Sequence, residues 1–201
     1  CSHIEQIVDF YPALAAEIYV AIFSYKEESK VPVEMGTPIL PLQSNKRQDY
    51  EMCFYQLDEA FAHFLEVEPK EALKAGIKAG EKEIHRSHIR GRTDEKTIRI
   101  DYSGKSYEIV PDFSCIWGDG QRLGEYGLQI IDKAIGYIGT MVEQGKLDLA
   151  NELFDLVVAN AHVAFSWNLL FDLASQYPST FAPKIAFLLH SSEILRATDL
   201  D

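Results

Sequence analysis

Ile131, Ile135, Ile138 and Val142 stand three or four residues apart, Gly145 follows, and a second apolar series, Leu149, Leu153, Leu156 and Val157, starts almost at once. Spacing of three and four puts each series on one face of a helix. A turn this short forces the two helices to lie antiparallel. The pattern recurs over most of the chain. Pro12 suits the first turn of a helix that carries Leu14, Ile18, Ala21, Ile22 and Tyr25 to about Lys26. A helix from about Asn45 to Val67 aligns Phe54, Leu57, Phe61 and Phe64, and Pro69 restarts one through Ala72, Leu73 and Ile77 to about His88. Further helices are expected from Leu147 to Asn160, from Val163 to Gln176 (Phe165, Trp167, Leu170, Leu173, Ala174), and after Pro178 through Phe181, Ile185, Leu188 and Leu189.

The period changes in one place. Ile98 and Ile100 alternate with Arg99 and Asp101, and Tyr107 and Ile109 flank Glu108, with Ser103-Gly104 between the two runs. Alternation on either side of a Ser-Gly pair predicts a β-hairpin. The expected fold class is therefore mostly α: an irregular α-solenoid of antiparallel helix pairs, HEAT- or TPR-like, with one inserted hairpin. No repeat of fixed period is present. The expected organisation is a helical half over 1–95, the hairpin over 96–111 and a second helical half over 112–201. Residues 27–43 carry Pro32, Gly36, Pro38 and Pro41, which exclude a regular helix there and predict a surface loop. The chain opens at Cys1 inside a helical pattern and stops at Asp201 soon after Ser192 begins another, which predicts a piece of a longer protein.

Composition narrows the function classes. A net charge of -12 argues against a module that binds duplexes by neutralising phosphates. The segment from Lys82 to Lys105 is the exception, with seven Lys or Arg against four acids. Within it Arg86, Arg90, Arg92 and Arg99 form a candidate contact strip for an acidic partner or a nucleic acid. Cys1, Cys53 and Cys115 show no CxxC pairing, which fits a reducing, cytoplasmic compartment, and Cys53 falls in a helical pattern as a buried thiol. No apolar run approaches the roughly 18 residues that a membrane helix needs.

Candidate chemistry is sparse. Glu81, His85 and His88 share one helical face at metal-ligand spacing, but the surrounding Lys and Arg would repel a cation, and a solvated helix end is the better reading. Gly118-Asp-Gly120-Gln-Arg-Leu-Gly124 is one residue too long for a dinucleotide fingerprint and lacks the Lys-Ser or Lys-Thr of a P-loop. Asp112, Asp119, Glu125 and Asp132 could include a catalytic pair of carboxylates, but a chain with 31 acids forms such clusters by chance; a metal-dependent hydrolase using Asp112, Asp119 and Asp132 is an alternative. His162, between Ala161 and Val163, reads as a packed histidine, and Phe165, Trp167 and Phe171 read as core. The polar block Ser44, Asn45, Lys46, Arg47, Gln48 and Asp49 stands at a helix start, where it would either hold an anion or lock the preceding loop through buried hydrogen bonds; the second is favoured. No catalytic residue, cofactor or metal ligand is assigned.

Two runs, Pro12-Ala-Leu-Ala-Ala-Glu-Ile-Tyr19 and Pro38-Ile-Leu-Pro-Leu-Gln-Ser-Asn-Lys-Arg-Gln-Asp-Tyr50, together with Phe61-Ala-His-Phe-Leu65, Pro69, Ala72 and the stretch from Trp167 to Phe181 with Pro178, resemble the helical scaffold of large bacterial STAND-type NTPases. That group includes sirtuin-linked members that defend against phages. The resemblance implies a helical region around or after a nucleotide-binding domain. Such regions sense a trigger, often a phage protein, or pack in the oligomer that switches on an N-terminal effector. The implied partners are other domains of the parent chain and a phage-derived protein, with oligomerisation through the parent. The P-loop and the effector are absent from these residues, so the segment alone is expected not to hydrolyse ATP. The resemblance is structural, and fold-level analogy carries no catalytic role.

Overall fold

The computed structural model of the protein describes residues 3–25, 45–89, 97–102, 105–112 and 126–190. The expected mostly helical class with one β-hairpin is the one observed: eight α-helices among the described residues and one two-stranded antiparallel sheet. The helices are α1 (Ile4–Phe10), α2 (Pro12–Ser24), α3 (Asn45–Val67), α4 (Pro69–Ile84), α5 (Tyr126–Glu143), α6 (Leu147–Asn160), α7 (Ala164–Gln176) and α8 (Pro178–Ile185). A π-helical turn, His85–Ile89, extends α4, and a 3-10 turn, Ala186–His190, extends α8. The strands are β1 (Ile98–Tyr102) and β2 (Lys105–Ile109).

Proline and glycine set several boundaries as the sequence suggests. Pro12, Pro69 and Pro178 each open a helix, where a missing N–H leaves no bond unmade. Gly145 adopts φ 74°, and its N–H donates to the Val142 carbonyl while that of Lys146 donates to Met141. These two bonds form a Schellman close to α5, a geometry that favours a residue without a Cβ. The hairpin pairs Tyr102 with Lys105 and Ile98 with Ile109, so Ile100 and Ile109 are buried while Arg99 faces Glu108 at 2.8 Å on the exposed side.

The α2–α3 contact is a ladder of rings. Tyr19 lies 5.4 Å from Phe61 and 5.5 Å from Phe64, and Phe23 meets Phe54 at 4.6 Å. The Tyr19 hydroxyl donates to the Leu57 carbonyl at 2.7 Å, which satisfies a group that burial has removed from water. Residue numbers rise along α2 as they fall along α3, so the two run antiparallel. The buried stripe of α2 is Ala15, Tyr19 and Phe23, and this corrects the expected one: Leu14, Ala21 and Tyr25 are exposed, and Ile18 and Ile22 are half-buried. Because α2 is apolar nearly all round, its period does not single out a face.

Helix α4 lies at the centre, packed on α2, α3, α5 and α6. Beside the buried Leu73, Ile77 and Ile84 it carries a set of small buried residues: Ala72, Ala75, Gly76, Ala79 and Gly80. A Cβ at Gly76 would stand 3.0 Å from that of Ala134, and one at Gly80 would stand 2.9 Å from that of Ile131 and 3.0 Å from the Gly127 carbonyl. The missing side chains let α4 and α5 approach closely along an antiparallel crossing. Lys133 on α5 reaches across to α3, bonding the Asp58 carboxylate at 2.7 Å and its carbonyl at 3.1 Å. In the second half Phe154 of α6 stacks on Phe181 of α8 at 4.4 Å, and Tyr107 of β2 packs against Trp167 and Phe187.

Candidate functional site

Three charged side chains at the end of α4 each reach a terminus of another helix. Glu81 is buried, and its Oε1 accepts the His162 backbone N–H at 2.6 Å and the Ser166 hydroxyl at 3.2 Å. Glu83, also buried, accepts the Gly127 N–H at 2.8 Å through Oε2 and an Arg86 N–H at 3.0 Å through Oε1. Arg86 in turn donates to the carbonyls of Phe23 and Tyr25 at 3.2 and 3.0 Å. The signs match the helix ends. Carboxylates sit at the N-termini of α7 and α5, where N–H groups are unpaired, and a guanidinium sits at the C-terminus of α2, where carbonyls are.

The start of α7 needs such help because its N-cap residue is Val163, whose side chain cannot accept a hydrogen bond. A second carboxylate completes the cap: Asp112, fully buried, accepts the Phe165 N–H at 2.7 Å. Asp112 arrives on the chain leaving β2. There Val110 forms a parallel bridge with Val163, its N–H donating to His162 at 2.8 Å and its carbonyl accepting from Ala164 at 3.0 Å. The hairpin is thus strapped to the entrance of α7.

Burial pushes the Glu81 carboxyl up to about 7 from its ordinary 4.5. The hydrogen bonds from His162, Ser166 and Val163 work against that rise, and the Asp112 charge adds to it. His85, at the exposed edge of the same segment, is held below its usual value by desolvation first, then by Lys82 and His162. A carboxyl near neutrality beside a hydroxyl is a combination that acid–base catalysts use. Here the hydroxyl and the amides are spent on fixing the start of α7. Two clefts flank α5, of about 260 and 630 Å³, and neither is lined by Glu81, Asp112 or Ser166.

The residues singled out in the sequence fall in different places. Arg86 is turned inward, and Arg99 is paired with Glu108; Arg90 and Arg92 lie outside the described residues. Gln48 and Asp49 are exposed, whereas Ser44 and the side chains of Asn45, Lys46 and Arg47 lie outside the described residues. So do the loop 27–43, the glycine-rich run 118–124, Asp119, Glu125, Cys1 and Cys115. Asp132 lines the smaller cleft with Asp172 and Glu143. Two expectations are corrected: the His162 side chain is exposed, its backbone N–H being the group that matters, and Cys53 is half-buried. No group of three or more His, Cys, Asp or Glu among the described residues is arranged to hold a metal ion.

Arg86 gives the first test. Replacing it with Ala removes two bonds to the last carbonyls of α2 and breaks the ion pair with Glu83. The expected loss is about 2 kcal/mol of stability, read as a lower urea midpoint with an unchanged slope. A side chain reserved for an external partner would leave the midpoint where it was.

No helix among the described residues is long and apolar enough to cross a membrane. Comparison of the chain with protein-family models, with curated proteins and with solved structures gives no match.

Proposed function

We propose that this segment is a non-catalytic recognition and assembly scaffold within a multidomain bacterial antiviral defence NTPase of the STAND type. The observation that supports the scaffold reading most is the convergence on the end of α4. Glu81, Glu83 and Arg86 tie together α2, α5 and α7, elements drawn from both sides of the hairpin. Charged groups that a catalyst would leave facing a substrate are engaged by helix termini, which makes a firm platform. Such a platform transmits a partner's binding energy to the rest of a large chain: a bound trigger shifts the balance between a closed packing and one that oligomerises. The defence context rests on the resemblance of the helical runs, with the segment acting in the cytoplasm.

The test is capture from phage-infected cells by the full-length parent, with and without residues 1–201. A phage protein retained only when the segment is present is the expected result. Equal retention without it would remove trigger sensing from the segment, and capture of nucleic acid in its place would favour the basic strip over 82–105.

A further inference from the structure

The surface of the first three helices is unlike the rest. Of the eight large apolar side chains exposed among the described residues, seven belong to the stretch from Phe10 to Val67, and Leu147 is the eighth. Phe10, Tyr11 and Leu14 stand together where α1 meets α2, at 75%, 66% and 47% exposure. Aromatic rings left this open are unusual on a surface that meets only water, and they are the residue types enriched at the centres of interfaces.

The charge on α1, on α2 and on α3 beyond Arg47 has one sign. Between His3 and Tyr25, and again between Gln48 and Pro69, there is no Lys or Arg at all. The same two stretches expose Glu5, Asp9, Glu17, Asp49, Glu51, Glu59 and Glu66. Asp9 is turned toward α3, where it meets His63 at 2.8 Å, so the α1–α2 corner and the acidic flank of α3 adjoin. An apolar centre with a carboxylate rim complements a partner that is apolar along one stripe and cationic beside it. It disfavours anionic lipid and nucleic acid, which the rim repels.

We propose that Phe10, Tyr11 and Leu14 anchor an interface for an amphipathic helix of another protein that carries Lys or Arg along its flanks. The proposal deepens the recognition reading above by naming a surface and the chemistry of its partner. The partner helix would seat its apolar side chains at the α1–α2 corner and set its cations over the α3 carboxylates.

The experiment titrates the full chain, at physiological ionic strength, with a synthetic leucine–lysine amphipathic helix and with the same helix carrying glutamate for lysine. The expected result is binding of the lysine peptide only. Affinity should fall about tenfold in Phe10→Ser/Tyr11→Ser and be unchanged in Leu147→Ser. Circular dichroism of each variant establishes that it is folded, and Leu14→Ser provides a second variant should the double change perturb α1. Equal binding by the corner variants would reduce the attraction to net charge and overturn the proposal. Binding of the glutamate peptide would do the same, as would a dimer of the unmodified chain that the corner variants dissociate, since a second copy would then be the occupant. These outcomes are independent of phage-trigger capture: a failed titration with successful capture removes the corner and leaves the scaffold reading standing.

Discussion

Glu81→Ala should destabilise the fold by about 2–4 kcal/mol, while Glu81→Gln should cost far less and flatten the dependence of stability on pH. Alanine strips the acceptor from the His162 N–H and the Ser166 hydroxyl, both of which then lie at the start of α7 without a partner there. Val163 offers no side-chain cap of its own, so that end is left to Asp112 and to the Val110 carbonyl. Glutamine keeps an oxygen for both donors and removes the charge that burial penalises. The two variants therefore separate the hydrogen bonds of Glu81 from its ionisation.

The pH response follows from the direction of the shift. A carboxyl raised from 4.5 to about 7 binds its proton more tightly in the folded state than in the unfolded one. Its contribution to stability is complete below 4.5, declines as pH rises through about 7, and changes no further above that. Across this window the native protein should lose stability, by an amount on the order of 3 kcal/mol. His85 acts in the opposite sense, because a lowered imidazole favours the fold above its ordinary 6.5 and withdraws that support as pH falls. The Asp112 charge adds to the rise at Glu81, so the comparison must be made between variants at each pH. Urea unfolding at about pH 5 and about pH 8 is the measurement. Parallel profiles for the native chain and Glu81→Gln would show that the Glu81 proton plays no part.

The elements were far more legible in the chain than the site was. Stripes of apolar residues and the punctuation of Pro12, Pro69, Gly145 and Pro178 locate the helices because both signals are local. The Ser103-Gly104 pair does the same for the hairpin, placing Tyr102 opposite Lys105. A local signal fails where every face is apolar, and the misplaced stripe of α2 is that case. The capping carboxylates fail for another reason. Glu83 and Glu81 meet donors 44 and 81 residues away, and nothing near them in sequence marks them as buried rather than as the solvated end of a lysine-rich helix. The usable clue stood at the other partner. A helix that starts after Val163, with no Ser, Thr, Asp or Asn at its N-cap, must find its acceptors elsewhere. The small residues of α4 were likewise visible as Ala75, Gly76, Ala79 and Gly80, but only the position of α5 shows why they are small.

That packing gives the second large effect, in which one substitution carries opposite signs on two neighbouring helices. Gly to Ala within a helix gains about 1 kcal/mol from backbone propensity when the added methyl is free. On α5, Gly136 is such a position: it is exposed, and a Cβ there meets nothing within 4 Å. Gly136→Ala should therefore raise stability by about 0.5–1 kcal/mol. On α4 the same methyl at Gly80 would press on the Ile131 Cβ at 2.9 Å and on the Gly127 carbonyl at 3.0 Å. Ile131 is branched at the clashing atom and the carbonyl is backbone, so neither yields by a rotamer change. Relief requires α4 and α5 to separate, which loosens Gly76 against Ala134 and draws Gly127 away from the Glu83 carboxylate. The clash should outweigh the propensity gain, leaving Gly80→Ala about 1–3 kcal/mol less stable than the native chain and Gly80→Val less stable again. Thermal unfolding of the four proteins side by side decides the matter. A Gly80→Ala variant that melts with or above the native protein would mean that the α4–α5 crossing is looser than the contacts at Gly76 and Gly80 require.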